Sequence, residues 1–330
     1  MRRFVGNLAL FLTPFMVLLA AYLYIDPFKV VWHYDNYYAY NGGGALNRNY
    51  VSTMTYLNQY ERYHYDSFIF GNSRSLFYRV ADWKKHLPAS AFCYHFSESG
   101  GSINGIYYKV RLIDQLGEHL RHVLIVADYT LLRSMQQQGA VFSMPPALDK
   151  SNFFAFHCEH LKNWFNPSFL YYFTKYHVTG TYTPDMGSYI LTGKNYRYYD
   201  PVTNEEPNGV QDSLIAIGKY YDEKTVRAFA GKHRPDTLPV ILDKEEAIGR
   251  LCDMQRIFQR HHTVCRIVIS PLYDQVSLHP KDVATLKRIF GEKSVYDFSG
   301  VNRWTEDEHN YYEPSHYLPS VAAEIMDSLF

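Results

Sequence analysis

The chain has 330 residues, with 33 Lys or Arg balanced by 33 Asp or Glu, so its formal net charge is zero. Apolar residues make up 47% of the chain, which is enough to build a large buried core. Because it carries neither a long basic run nor a zinc-finger spacing, the composition argues against a nucleic-acid-binding protein.

The N-terminus carries a long apolar segment. After Met1-Arg2-Arg3, residues 4–25 include no charged side chain. As a helix this span would be roughly 33 Å long, enough to cross a hydrocarbon layer of ~30 Å. The arginines predict a cytoplasmic N-terminus and an outward-facing remainder, periplasmic or extracellular. A cleaved signal peptide is the alternative, but the run is long for one and Ala20-Ala21 is not an A-x-A site, so we expect residues 1–25 to be an anchor.

Asp26-Pro27 is expected to end this helix at the membrane surface. Residues 26–60 then read as an aromatic and polar juxtamembrane segment. It contains Gly42-Gly43-Gly44, which no Gly-Lys-Ser/Thr follows, so these glycines predict a flexible turn rather than a phosphate-binding loop. Residues 61–330 are expected to form one domain.

The segment 67–70 is predicted to be a short buried strand that runs into Gly71-Asn72-Ser73. Small-residue turns are common, and an ordinary turn is one interpretation. However, a strand-to-helix elbow would place Ser73 at the carboxyl edge of a sheet and at a helix N-terminus. Ligands bind at that edge in open α/β folds, and free N–H groups there favour negative charge. We therefore predict that Ser73 is a nucleophile.

Strand and helix patterns alternate through the rest of the chain. Further strands are predicted at 91–97, 122–127, 265–269 and 295–298, and helices at 75–83, 103–116, 244–260, 281–290 and 319–330. This order predicts an α/β protein with a five-stranded, mostly parallel sheet that is covered on both faces. Residues 136–242 are rich in Pro and Tyr and break the pattern, so they predict an insertion or cap between strands 3 and 4.

A second informative stretch lies near the C-terminus at residues 311–317. It holds Glu313 and His316, while Pro314 opposes a plain helix. A serine nucleophile needs a base for its proton and a carboxylate that orients the imidazole. Because the loop follows the last strand, it should reach the sheet edge that holds Ser73. We predict a triad of Ser73, His316 and Glu313; a surface loop with incidental charges is the alternative.

In these motifs the chain resembles the SGNH (GDSL-like) hydrolase superfamily, in its membrane-anchored branch. That branch includes accessory proteins for acetylation of exported polysaccharides and the teichoic-acid D-alanylation protein. The resemblance rests on Phe-Gly-Asn-Ser-Arg-Ser at 70–75, Ile-Val-Ile-Ser-Pro-Leu-Tyr at 267–273 and Tyr-Glu-Pro-Ser-His-Tyr at 312–317, and it covers about residues 66–330. It implies a flavodoxin-like three-layer sandwich in which Ser73 is the nucleophile and His316 the base.

Two departures from the family pattern concern the triad. Asn72 stands in place of the Asp of the family's elbow motif, which need not harm the nucleophile. Glu313 stands where the family usually has Asp, and its side chain is one methylene longer. Either the loop adjusts to this length, or another acid such as Asp307 serves His316.

A third departure concerns the oxyanion hole. The family's Gly-x-Asn-Asp block is missing, and Asp128 stands near its place. An ionised carboxylate cannot donate a hydrogen bond to an oxyanion. The hole would then rest on the N–H of Ser73 and an N–H near Gly100 or Gly101, with Asn104 as a further donor. Losing one such donor can lower the rate on the order of a hundredfold.

Neither a metal nor a cofactor is expected. Cys93, Cys158, Cys252 and Cys265 form no C-x-x-C pair, and in an exported chain they are either buried thiols or disulfide partners. The clusters at 157–160 (His-Cys-Glu-His) and 261–262 (His-His) lack a complete ligand set.

Aromatic residues of the insertion either line a sugar-binding groove or pack inside the insertion. These residues are Trp164, Phe165, Tyr171, Tyr172, Tyr196, Tyr198 and Tyr199.

The resemblance implies an outward-facing acyl-transfer enzyme. Ser73 would take an acyl group, in the first place acetyl, and pass it to a hydroxyl of a cell-envelope or exported polysaccharide. A multispanning membrane acyltransferase is the implied partner and acyl donor. Two alternatives remain: an esterase that uses water as acceptor, and an inactive domain that binds glycan or scaffolds an envelope complex.

Overall fold

A five-stranded parallel sheet forms the centre of the molecule. The computed structural model describes residues 1–39, 43–135, 139–187, 189–190, 199–206 and 209–330. The sheet strands are β1 Ser67–Gly71, β2 Cys93–Phe96, β3 His122–Ala127, β4 Val264–Ile269 and β5 Val295–Asp297. Their order is β2-β1-β3-β4-β5, and all four pairings are parallel. The predicted α/β class and five-stranded sheet are confirmed, and the order is that of flavodoxin-like sheets.

Among the described residues there are twelve α-helices. They are α1 Arg2–Ile25, α2 Arg48–Tyr63, α3 Val80–Trp83, α4 Ile103–Gln115, α5 Tyr129–Arg133, α6 Phe153–Trp164, α7 Pro167–Thr179, α8 Gly209–Ala216, α9 Glu223–Phe229, α10 Glu245–Arg260, α11 Pro280–Phe290 and α12 Pro319–Leu329.

Helices cover both faces of the sheet. One core joins Phe68, Phe70 and Ile125 to α2, α4, α10 and α11. The other joins Ile69 and Val126 to α3 and α12. Consecutive residues of β1 therefore point into different cores, as the two-residue period of a strand requires. The result is three layers, with the sheet in the middle.

Among the described residues, one helix is long and apolar enough to cross a membrane. It is α1, in which Arg3–Ile25 has a mean hydropathy of 2.2 and is almost entirely exposed, with Pro14 inside it. Its end at Asp26 is left-handed, with φ 46°, and the Asp26 carboxylate accepts hydrogen bonds from the N–H groups of Val30, Val31 and Trp32. Length and composition are equally those of an N-terminal signal sequence.

One local expectation was wrong in detail. The helix predicted at 75–83 is instead a 3-10 turn, Ser73–Phe77, followed by the single-turn α3. The Oγ of Ser75 donates to the carbonyl of Asn72 at 2.8 Å, and such side-chain-to-backbone bonds compete with an α-helix. Part of the expected juxtamembrane segment forms α2, whose Tyr56 is buried against the sheet.

The insertion lies between β3 and β4 and contributes α6, α7, α8 and α9 among the described residues. Its end pairs in parallel, through Asp236–Thr237, with Val276–Ser277. The C-terminal loop forms an antiparallel hairpin of β6 Tyr311–Glu313 and β7 His316–Tyr317. The four cysteines are free thiols, of which Cys93 and Cys265 are buried.

Candidate active site

The site lies at the carboxyl edge of the sheet, where β1 and β3 end side by side. The chain leaves β1 to form β2 on one side, whereas β3 lies on the other side of β1. This change of direction creates the crevice in which open α/β sheets bind ligands. Ser73 follows β1 and Asp128 follows β3, so both stand at this crevice.

The elbow after β1 is closely packed. A Cβ on Gly71 would lie 2.7 Å from both the carbonyl oxygen of Val126 and the Cβ of Ser75, so only glycine fits there. The Asn72 side chain accepts a hydrogen bond from the N–H of Arg74 at 3.0 Å and caps the 3-10 turn. Ser73 is the first residue of that turn, and its N–H therefore has no acceptor within the turn.

The structure brings Ser73, His316 and Glu313 together. The Oγ of Ser73 lies 2.8 Å from Nε2 of His316, and Nδ1 of His316 contacts Oε1 of Glu313. The His316 and Glu313 side chains are 29% and 46% exposed, so solvent and substrate can reach them. Burial pushes the pKa of Glu313 up, but the hydrogen bonds from His316 and the Ser315 N–H outweigh it and hold the pKa below its ordinary value. Glu313 is thus a carboxylate that orients the imidazole.

The turn between β6 and β7 accommodates the Glu313 side chain, which is one methylene longer than that of Asp. The second oxygen of Glu313 accepts the N–H of Ser315 at 2.8 Å, so the carboxylate spans the turn between β6 and β7. Arg74 donates from Nε to the carbonyl of Ser315 at 3.0 Å and ties the turn to the elbow. The Phe77 ring packs edge-on against the His316 ring, with centroids 5.6 Å apart. The imidazole is thereby held by its neighbours on both sides.

Asp128 does not donate a hydrogen bond; it accepts several. Its carboxylate pairs with Arg74 Nη1 at 2.8 Å and accepts Nδ2 of Asn72 at 2.5 Å. The N–H groups of Thr130 and Leu131 also donate to it, at 2.7 and 3.0 Å. Burial raises the pKa of Asp128, but Arg74 and these hydrogen bonds overcome that effect and lower the pKa below its ordinary value. The buried carboxylate is ionised.

The glycine loop after β2 lies against the elbow. Gly101 has a φ of +44°, and a Cβ there would lie 2.6 Å from the Cβ of Asn72 and 2.9 Å from its Cα. Gly100 has a φ of +75°. Asn104 lies in the first turn of α4, and its buried Oδ1 has no partner among the residues that the structure describes. Of the predicted oxyanion donors, the structure places Gly101 beside the residue that precedes Ser73.

A layer of buried polar side chains contacts the 3-10 turn that begins at Ser73. The sequence analysis did not predict this layer. The Ser75 Oγ lies 3.0 Å from Nε2 of His95, which is fully buried. Burial, with the nearby charge of Lys109, lowers the pKa of His95 to about 3, so this imidazole is neutral at physiological pH. Glu98 pairs with Lys109 at 2.8 Å, and a Cβ at Gly105 would overlap the Glu98 carboxylate. The sequence signal for this layer is a set of polar residues within β2, directly after it and in α4.

The insertion forms hydrogen bonds with the C-terminal hairpin that carries Glu313 and His316. The hydroxyl of Tyr220 donates to the carbonyl of Tyr312 at 2.8 Å. The hydroxyl of Tyr221 contacts the carbonyls of His309 and Tyr311, each at 2.9 Å. The segment between α8 and α9 therefore holds the backbone on which Glu313 stands.

Asp307, the alternative acid, contacts His309 at 2.9 Å rather than His316. Asp307, Glu308 and His309 form a mostly exposed group within 4.8 Å of one another, the spacing of potential metal ligands. Of the other histidines considered, His160 is buried with Nδ1 2.8 Å from the Phe156 carbonyl, and His261 contacts Asp114.

Among the described residues, the insertion aromatics mainly pack against other aromatic side chains. Trp164 and Phe165 contact α1, and Tyr199 stacks on Tyr38 with centroids 4.0 Å apart. Tyr172 contacts Tyr189, whereas Tyr171 is 61% exposed. Tyr196 and Tyr198 lie outside the described residues.

The chain matches no protein-family model, and neither a curated protein nor a solved structure matches it.

Proposed function

We propose that this chain is a membrane-anchored, SGNH-like serine acyl-transfer enzyme. The observation that carries the proposal is the contact between the Ser73 Oγ and the His316 Nε2 at 2.8 Å, with Glu313 on the opposite nitrogen. A serine, an imidazole and an ionised carboxylate in this order form the arrangement that activates a hydroxyl for attack on an ester. The same contact argues against a catalytically inactive domain.

The proposed reaction has two halves. In the first, the Ser73 Oγ attacks the acyl carbonyl of a donor ester, and its proton passes to Nε2 of His316. The tetrahedral intermediate collapses, the leaving oxygen takes that proton, and the acyl group remains on Ser73. In the second half, an acceptor hydroxyl gives its proton to His316 and attacks the acyl carbonyl. The second tetrahedral intermediate then breaks its bond to the Ser73 Oγ, which takes the proton back from His316, so that the acylated acceptor leaves and the free serine is restored. Glu313 stabilises the imidazolium in both halves.

Backbone N–H groups are the proposed oxyanion donors. The Ser73 N–H is free of the 3-10 turn, and Gly101 packs against Asn72 beside it. Asp128 is occupied by Arg74 and Asn72, and its role is to fix the elbow. Asn104 is the candidate for an additional side-chain donor.

The acceptor and the partner follow from the resemblance and from α1. An outward-facing domain on a membrane-spanning helix would meet polysaccharide at the cell envelope, with a sugar hydroxyl as acceptor. A multispanning membrane acyltransferase would supply the acyl group, in the first place acetyl, from the other side of the membrane. An anchor in the membrane would keep the domain beside this acyltransferase, and this favours the proposed partnership over a freely diffusing esterase.

The first test is the release of acetate from a small activated acetyl ester by the full-length protein in detergent. Ser73→Ala should abolish release, whereas the exposed Ser328→Ala should leave it unchanged. Release that survives in Ser73→Ala would refute the nucleophile. In cells, Ser73→Ala should lower the acetylation of the polymer. Higher acetylation after gene deletion would identify an esterase instead, and unchanged acetylation in Ser73→Ala would count against any acyl-transfer role.

A further inference from the structure

Two tryptophans hydrogen-bond to the backbone of α1. Trp32 donates its indole N–H to the carbonyl of Leu23 at 2.6 Å, and Trp164 donates its own to the carbonyl of Leu18 at 3.0 Å. Trp32 is 55% exposed, whereas Trp164, at the end of α6, is 2% exposed. Along a helix that rises 1.5 Å per residue, the two acceptors lie about 7.5 Å apart.

The turn between α6 and α7 reaches further along α1. The rings of Phe165 and Phe15 have centroids 6.5 Å apart, and those of Trp164 and Tyr22 are 6.0 Å apart. Phe15, Leu18 and Tyr22 recur at helical spacing, so these contacts fall on one face of α1. Phe15 stands about 15 Å along the axis from the end of α1. The turn is thus packed against the domain-side half of the helix.

A hydrocarbon layer ~30 Å thick would enclose this half of α1 if the helix crosses the membrane. A helical pair packed on that face must then enter the same layer. We propose that the α6–α7 hairpin, residues 153–179, dips into the domain-side leaflet beside α1, with lipid as its surroundings. This inference rests on α1 crossing the membrane and is independent of the chemistry at Ser73.

The turn between α6 and α7, which is the tip of the hairpin, has features that suit it to the lipid leaflet. Asn166 accepts the N–H groups of Ser168 at 2.9 Å and Phe169 at 3.4 Å, so backbone donors at the start of α7 are satisfied within the protein, as a lipid environment requires. Tyr171 is 61% exposed and is a residue type typical of the membrane interface. The Lys162 side chain is 79% exposed and long enough to extend towards lipid phosphates. Leu18 lies about 10 Å from the helix end, a depth at which interfacial helices insert.

The experiment measures the depth of single labels on full-length protein in phosphatidylcholine vesicles. Cys158 and Cys252 are replaced by Ser; the other two cysteines are buried. A polarity-sensitive fluorophore is then attached to Ser168→Cys at the tip. Ser151→Cys, two residues before the hairpin at the end away from its tip and also exposed, is the matched control, and Leu12→Cys reports on α1.

Lipids that carry a nitroxide on the acyl chain should quench the label at Ser168→Cys several-fold more strongly than the label at Ser151→Cys, with a blue shift in emission. Quenching at Leu12→Cys should be as strong. Equal, weak quenching at Ser168→Cys and Ser151→Cys, with strong quenching on α1, would overturn the inference. Weak quenching at Leu12→Cys would also overturn it, because α1 would then not cross the membrane. Acetate release is not measured, so failure at the hairpin leaves the proposed chemistry at Ser73 untouched, whereas weak quenching at Leu12→Cys would also remove the membrane anchor from the proposed function.

Discussion

The Oγ of Ser73 lies 2.8 Å from Nε2 of His316, although 243 positions separate the two residues in the chain. Ser73 is placed by the end of β1 and His316 by the hairpin that follows β5. Arg74, which donates to the carbonyl of Ser315, ties these distant segments together. The geometry of the site therefore depends on the packing of the whole sheet edge.

Removing the charge of Glu313 should lower turnover while leaving the fold intact. Glu313→Gln keeps the shape but no longer stabilises the imidazolium, and we expect kcat for ester hydrolysis to fall on the order of a hundredfold or more. Asp307→Asn is the matched control, because Asp307 contacts His309 instead. Equal losses in the two variants would show that Glu313 is not the acid of the triad.

Arg74→Met should destabilise the protein strongly. Asp128 is fully buried, and without Arg74 its charge would lose its partner. Removing one partner of a buried ion pair costs about 3–5 kcal/mol in free energy of unfolding. The double variant Arg74→Met/Asp128→Asn should recover most of this loss, since no buried charge remains. Chemical unfolding followed by near-ultraviolet circular dichroism measures both effects, and a double variant as unstable as the single one would contradict the explanation.

His95 should make the fold sensitive to mild acid. Its pKa is about 3 in the folded chain against an ordinary 6.5, because of burial and the charge of Lys109. Between these values the unfolded chain binds a proton that the folded chain does not, so stability is lost as pH falls, by about 1.4 kcal/mol per pH unit. From pH 6.5 to pH 5 the wild type should lose about 2 kcal/mol more than His95→Gln. Parallel stability profiles of the two proteins would exclude this role for His95.

The tyrosine hydroxyls of the insertion should support catalysis through the hairpin. Removing both, in Tyr220→Phe/Tyr221→Phe, frees the carbonyls of the backbone that carries Glu313. We expect the free energy of unfolding to fall by about 1 kcal/mol per hydrogen bond, and kcat to fall several-fold with KM unchanged. Tyr171→Phe, on an exposed side chain of α7, should change neither. An unaltered kcat in the double variant would mean that the hairpin holds its geometry without the insertion.

The sheet was predictable because its strands carry their own local signals. β3 is a continuous apolar run from Val123 to Ala127 that is buried on both faces, and β1 is bounded by a small-residue turn. Residues 75–83 were wrongly predicted as one helix, because a periodic pattern does not reveal the hydrogen bond from the Ser75 hydroxyl to the Asn72 carbonyl. α2 was missed because its aromatic and polar residues give only a weak apolar stripe.

The residue types of the site were predictable from the sequence, whereas most of the hydrogen bonds and ion pairs between them were not. Ser73, Glu313 and His316 were chosen because each follows a strand at the same edge of a parallel sheet. Their contacts could not be read from spacing, and neither could the placement of Arg74 across Asp128 and the carbonyl of Ser315. Two features of the sequence did indicate the ion pair: Arg74 directly follows Ser73, and Asp128 directly follows the neighbouring strand β3.

The sequence by itself determined the apolar N-terminal helix, the parallel α/β sheet and the three residues proposed for the triad. These features follow from hydrophobic periodicity and from strand ends, which are local properties of the chain. Tertiary structure alone decided the ionised state of buried Asp128, the contact of Tyr221 with the hairpin and the packing of Trp164 on α1. Each of these joins segments far apart in the chain, and burial and charge at such contacts exist only after the chain has folded.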